Sequence, residues 1–102
     1  MTSSASQQVV VPADHPSLAG HFPGKPIVPG VLILELVADA ARSAIGPLQV
    51  RCVRAVKFTA PLLPGQTLDI RLDWDAALIR FRCESSGRAL AQGTLEYMRT
   101  PA

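Results

Sequence analysis

Leu68, Ile70, Leu72 and Trp74 alternate with Asp69, Arg71, Asp73 and Asp75. Side chains of a β-strand point to opposite faces in turn, so this run reads as a strand with one dry and one wetted face. Ile79, Phe81 and Cys83 against Arg80, Arg82 and Glu84 repeat the pattern. After a Ser85-Ser86-Gly87 turn, Ala91, Gly93, Leu95 and Tyr97 oppose Gln92, Thr94 and Glu96. A sheet with a dry face must be covered, and one segment has the length and Leu/Ala content of a helix to do it, from Gly30 to Ala44, ended by Gly46-Pro47. That segment is apolar nearly all round, so it is expected to be enclosed on most sides. Val56 and Phe58 alternate with Lys57 at the end of a further strand spanning about Leu48 to Ala60, and Pro64-Gly65 makes the next turn. Gln7 to Val11 reads as a short first strand stopped by Pro12, behind a disordered leader over residues 1–6. The expected fold class is α+β: one central apolar helix wrapped by a curled antiparallel sheet of about five strands, in a single domain over residues 7–102.

A chain of 102 residues can bury one modest core. It is apolar for that size, with 48% hydrophobic and 18% charged residues and a mean hydropathy of +0.24, which points to a partner interface. One helix on one curled sheet leaves open strand edges, so a homodimer is expected, with further assembly left open. The net charge of +2 comes without a basic run or a recognition-helix pattern, which argues against nucleic acid. Lys25, Arg51, Arg54, Lys57, Arg80, Arg82 and Arg88 read first as a solvated surface, scattered by strand alternation over both faces. Residues 1–8 lack a charged n-region and an apolar h-region, so a cytoplasmic location is expected. The longest apolar stretch is too short to span a bilayer and is broken by Glu35, Asp39 and Arg42. Cys52 and Cys83 are expected to be reduced core thiols without a role.

The remaining segment is where chemistry concentrates. Pro23, Pro26 and Pro29 each fix φ and push the preceding residue out of helical space, so the path from His21 to the helix has few conformations. Phe22-Pro23-Gly24-Lys25 also fits a type II turn. The helix start at Gly30 offers free backbone N–H groups and a positive dipole end, where a carbonyl oxygen gaining charge would be stabilised. Glu35 lies five residues further in, about 7–8 Å along the axis at 1.5 Å per residue. Proton abstraction α to a carbonyl wants a base near neutrality, oxyanion donors and an acid for the leaving group, and His21, the Gly30 amide and Glu35 fill those roles. Asp39 stands one turn after Glu35, with Arg42 placed to pair with it. His15 is expected to be structural or solvated. No metal site is expected, the spacing of Asp14, His15 and His21 being too loose for one.

The stretch Gly20-His21-Phe22-Pro23-Gly24-Lys25-Pro26-Ile27-Val28-Pro29-Gly30-Val31-Leu32-Ile33-Leu34-Glu35 resembles the signature of the 3-hydroxyacyl-acyl-carrier-protein dehydratases of the hotdog fold. Val56-Lys57-Phe58, Pro61 and Pro64-Gly65-Gln66-Thr67-Leu68 resemble the family's next block, so the likeness covers nearly all of the chain after residue 8. The resemblance implies elimination of water from a (3R)-3-hydroxyacyl thioester to the trans-2-enoyl thioester, without a cofactor. His21 falls on the family's catalytic histidine and Glu35 on its catalytic acid, contributed by different protomers of a dimer. Gly30, Val31 and Phe22 fall on substrate-facing positions, the amide at Gly30 holding the thioester carbonyl. Asp39 stands where the family commonly has glutamine, one turn after the acid, and is expected to support Glu35 rather than to touch substrate. The short front is similar to the compact ApeI-like branch of polyene-type pathways. A hotdog acyl thioesterase and a non-catalytic acyl-binding or heterodimer subunit are the alternatives. Acyl chain length, and carrier protein against coenzyme A, stay open.

Overall fold

A computed structural model describes residues 2–12, 14 and 27–101. Strand β1 (Ser3–Val10) is followed by helix α1 (Gly30–Ile45), then β2 (Leu48–Phe58), β3 (Thr67–Trp74), β4 (Leu78–Ser85) and β5 (Arg88–Arg99). All strand pairs are antiparallel, in the order β1-β3-β4-β5-β2, so the first strand after the helix crosses to the far edge.

The expected alternation governs the middle of the sheet. Leu68, Ile70, Leu72, Ile79, Phe81, Cys83, Leu95 and Tyr97 are buried beneath the helix, and Arg71, Asp73, Arg80 and Arg82 are exposed on the other side. The helix contributes Leu32, Ile33, Val37, Ala40 and Ala41 to this core. Each large aliphatic side chain so enclosed stabilises the fold by roughly 1.5–3 kcal/mol, which outweighs any single cap. Among the described residues the helix has no side-chain cap: Pro29 stands at its N-cap, its carbonyl accepting from the amides of Leu32 and Ile33 at 3.0 and 3.2 Å. It ends where Gly46 turns to φ 115° and donates its amide to the Arg42 carbonyl at 2.9 Å. The β4–β5 turn sits at Ser86 and Gly87, both at positive φ, as a two-residue hairpin demands.

Four expectations change. Residues 3–6, expected as part of a disordered leader, form the first half of β1: Ser3 to Ser6 pair with Trp74 to Arg71. The eight-residue β3 offers a ladder along its full length, and backbone pairing overrides the weak β-propensity of serine. The helix is not apolar all round, because Val31, Glu35, Asp39 and Arg42 line an exposed stripe along it. Cys52 is exposed on β2 rather than in the core, while Cys83 is buried and both are free thiols. The cations on the strands are also not scattered. Arg54 and Lys57 are three apart, and strict alternation would put them on opposite faces. A bulge at Ala55 and Val56 against Gly93 shifts the phase, so Arg54 pairs with Thr94 and Lys57 with Gln92, on the same side as Arg80 and Arg82. Ala55 adopts φ 52° there.

Candidate active site

The helix start is held from two directions. Val28 donates its amide to the Leu62 carbonyl at 2.8 Å, tying the approach of the helix to a fully buried residue beyond β2. Phe58, the last residue of β2, lays its ring against Gly30: a Cβ on that glycine would lie 2.9 Å from Phe58 Cζ. The chain after Phe58 is fixed in turn, with the Thr59 amide donating to the Leu90 carbonyl at 2.8 Å and its hydroxyl to the Ala89 carbonyl at 3.1 Å. Between these elements opens a pocket of about 400 Å³, lined by Ile27, Val28, Gly30, Ile33, Phe58, Thr59, Ala60, Pro61 and Leu62. Its lining is apolar apart from Thr59, and that hydroxyl is already engaged. An acyl chain fits such a wall better than a polar ligand does.

At the mouth of this pocket the first turn of α1 has no acidic residue, and among the described residues nothing accepts from the amides of Gly30 and Val31. The positive helix end, equivalent to roughly half a charge, favours an oxygen bearing negative charge. Val31 carries its own side chain outward, 67% exposed. Glu35 follows one turn later on the same exposed stripe, and Asp39 a turn beyond. Asp39 accepts a hydrogen bond from Arg42 at 3.1 Å, so its charge is met by a cation on its own helix.

The structure thus places Val31, Glu35 and Asp39 in order along one exposed helix face, with Gly30 at the helix start turned toward Phe58 and the pocket. His21, Phe22, His15 and the type II turn lie outside the described residues, and so does any distance from His21 to Glu35. Among the described residues no cluster of His, Cys, Asp or Glu has the makings of a metal site. Phe58 was not singled out from sequence as part of the site. Its place in the pattern with Val56 marks it as a strand residue, and nothing in the sequence signals that its ring reaches the helix start.

The model of the ApeI-like family, described as ApeI dehydratase, matches residues 1–94. The chain belongs to that family. Among solved structures, the ApeI-like chain is similar to one in the dehydratase heterocomplex ApeI:P from Xenorhabdus doucetiae, at 30% identity with a TM-score of 0.85, over 94% of this chain and 88% of that one. Among curated relatives, it is 36% identical over 101 residues to the 3-hydroxyacyl-[acyl-carrier-protein] dehydratase FabZ of Chlamydia trachomatis. That match takes in 89% of this chain and 63% of the relative, so the chain spans less than two thirds of its length. The fluoroacetyl-CoA thioesterase FlK shares the fold, with a TM-score of 0.77 at 16% identity over 94% of this chain and 84% of that one. Helix α1 on a curled five-stranded sheet is the hotdog fold. No helix among the described residues is long and apolar enough to cross a membrane.

Proposed function

We propose that this chain removes water from a (3R)-3-hydroxyacyl thioester carried on acyl carrier protein, giving the trans-2-enoyl thioester, in fatty-acid or polyene-type lipid biosynthesis in the cytoplasm. The thioester carbonyl accepts from the Gly30 amide at the positive helix end, which acidifies the neighbouring C2–H. The His21 imidazole takes that proton. The electron pair left on C2 forms the C2=C3 double bond as the C3–O bond breaks. The departing oxygen leaves as water with a proton from Glu35, and His21 and Glu35 then re-equilibrate with solvent. Elimination of this kind calls for no cofactor. The acyl chain lies against Phe58, Ile33 and Leu62 in the pocket beside Gly30.

The observation that carries this reading is the pair of amides at Gly30 and Val31, without an acceptor among the described residues, with Glu35 one turn on in a chain of the ApeI-like family. The exposure of Glu35 in the single protomer supports a site completed by a second protomer, as does the half-exposed apolar edge at Val53 and Phe58. A homodimer with its sites at the protomer interface is therefore part of the proposal.

Incubation with a 3-hydroxyacyl carrier-protein thioester, followed by mass analysis, tests it. Loss of 18 mass units (about one water) with the thioester intact is the expected product. A free acid identifies a thioesterase instead. No reaction, with equal binding by wild type, His21→Ala and Glu35→Ala, identifies a non-catalytic acyl-binding subunit.

A further inference from the structure

Every charged residue of helix α1 stands on one stripe. Glu35, Asp39 and Arg42 follow one another along it, all exposed, and the rest of the sixteen-residue helix carries no ionisable side chain. Residues four apart on a helix have Cβ atoms about 5–6 Å from each other, so Asp39 sets a carboxylate directly beside Glu35. Arg42 answers it. Its Nη1 lies 3.1 Å from Asp39 Oδ1, and its Nε donates to the Leu48 carbonyl at 3.4 Å. Leu48 opens β2 and is buried, and the Arg42 carbonyl itself accepts from the Gly46 amide at 2.9 Å. The guanidinium is thereby anchored at the corner where helix passes into strand, with the Asp39 carboxylate held against it.

The strands packed on the helix bring little further charge to Glu35. Strand β1 has no ionisable residue from Ser3 to Val10. On β3, Asp69, Arg71 and Asp73 lie on the outer face of the sheet, where Asp69 accepts from Gln8 at 2.7 Å. On β2, Arg54 and Lys57 share that outer face, and Arg51 reaches exposed Met98. Arg99 does turn to the helix, but it donates to the Ile45 carbonyl at the far end, at 3.3 Å. His21 is the group that the proposed reaction sets opposite. Among the described residues, the charge beside Glu35 is therefore set by one pair on its own helix. A solvated pair of this kind adds little to stability. Its effect on a proton held one turn away is a separate matter.

We propose that Arg42 is a positioning residue for the dehydration and acts through Asp39: it keeps the Asp39 carboxylate as one half of a neutral pair, so that Glu35 meets no net charge along its helix. The inference rests on Glu35 as the acid of the reaction proposed above and adds what governs its proton. A group that gives a proton to the departing oxygen and takes one back from solvent is impaired by a shift in either direction. Asp39 without Arg42 would hold that proton too firmly, and Arg42 without Asp39 would draw it off.

The test titrates the Glu35 carboxyl carbon by NMR, without substrate and at low ionic strength, in protein whose three glutamates are carboxyl-labelled, Glu35→Gln assigning the signal. Arg42→Gln should raise the midpoint by about 0.2–0.4 pH units over wild type, and Asp39→Asn should lower it. In the Asp39→Asn background the Arg42→Gln shift should shrink to roughly half or less, since its route is gone. Arg42→Lys, which keeps the charge, should restore the wild-type midpoint, and added salt should shrink every shift. On a short 3-hydroxyacyl N-acetylcysteamine thioester, the limb of the kcat/KM profile that Glu35 governs should move with the midpoint. That is about a twofold change in rate at a fixed pH on the limb. An unmoved midpoint in Arg42→Gln overturns the proposal, even if the melting temperature falls, because Arg42 then only ties the helix to Leu48. An equal shift with and without Asp39 overturns it too. If wild type removes no water from the thioester, the dehydratase reading fails by itself, and the substrate-free titration still decides the coupling.

Discussion

Two glycines in this fold have almost the same steric clearance and should respond to the same substitution in opposite ways. A Cβ at Gly93 would sit 2.8 Å from Val56 Cγ2 and 3.0 Å from Phe81 Cε1 and Cζ. A Cβ at Gly30 would sit 2.9 Å from Phe58 Cζ. What differs is whether the neighbour can give. Phe81 is 4% exposed in the core, and Val56 is β-branched on a bulge whose preceding residue already holds φ 52°. Phe58 meets Gly30 with the far end of its ring, on an edge strand, 48% exposed. Gly93→Ala should therefore cost the 1–3 kcal/mol typical of an overpacked core, about 2 kcal/mol. For a domain of this size that lowers the melting temperature by about 8–16 °C. Gly30→Ala should change it by less than about 1 kcal/mol, since the strain of moving a ring is offset by the reduced freedom of the unfolded chain. It should still impair turnover, because the displaced ring borders the proposed carbonyl site. Urea unfolding at fixed protein concentration measures both, and Val56→Ala in the Gly93→Ala background should recover about 1 kcal/mol by removing the nearest clash. Equal losses for the two glycines, or no recovery on trimming Val56, would refute the reasoning.

His21→Ala and Glu35→Gln should each lower the dehydration rate by about 10²–10⁴ with the circular-dichroism spectrum unchanged, as removal of a positioned base or acid does. Asp75 accepts from the amides of Ala77 and Leu78, both at 2.9 Å, and these bonds hold its carboxyl below the ordinary 3.8. A carboxylate so favoured in the folded state stabilises it above the unfolded value and loses that contribution as pH falls through the lower folded value. Melting temperatures followed from pH 6 downward should thus fall below about pH 4, and Asp75→Asn should flatten that part of the curve. Burial pushes the Cys83 thiol up to about 12, whereas Cys52 is exposed and raised chiefly by the Glu96 side chain opposite it on β5. A thiol reagent at pH 8 should label one cysteine in the native protein and two in urea, and Glu96→Gln should speed the first reaction.

Much of the fold was legible because its signals are local. The helix from Gly30, the hairpin at Ser86 and Gly87 and the dry faces of β3 and β4 stand in the sequence as period and turn chemistry. What escaped reading depends on residues far apart in the chain. Leu90 and Ala91 are both buried, against alternation, because the pairing of Cys83 with Ala91 and Glu84 with Ala89 leaves Leu90 as an extra residue. The common face of Arg54 and Lys57 has the same kind of origin, a bulge fixed by Gly93 nearly forty positions later. Glu35 was legible as a lone carboxyl in an apolar run, yet its exposure depends on which helix face meets the sheet. The ring of Phe58 over Gly30 follows from the crossing of β2 to the sheet edge, which no local pattern encodes.

The two irregularities in β2 also bear on how the molecule avoids runaway association. An outermost strand offers its free amides and carbonyls as a template for any extended chain, and long flat templates grow into fibres. Here the ladder register slips after Val50 and again after Arg54, so no uninterrupted stretch of the template exceeds a few residues. A matching contour can still close on it once, while indefinite growth is denied.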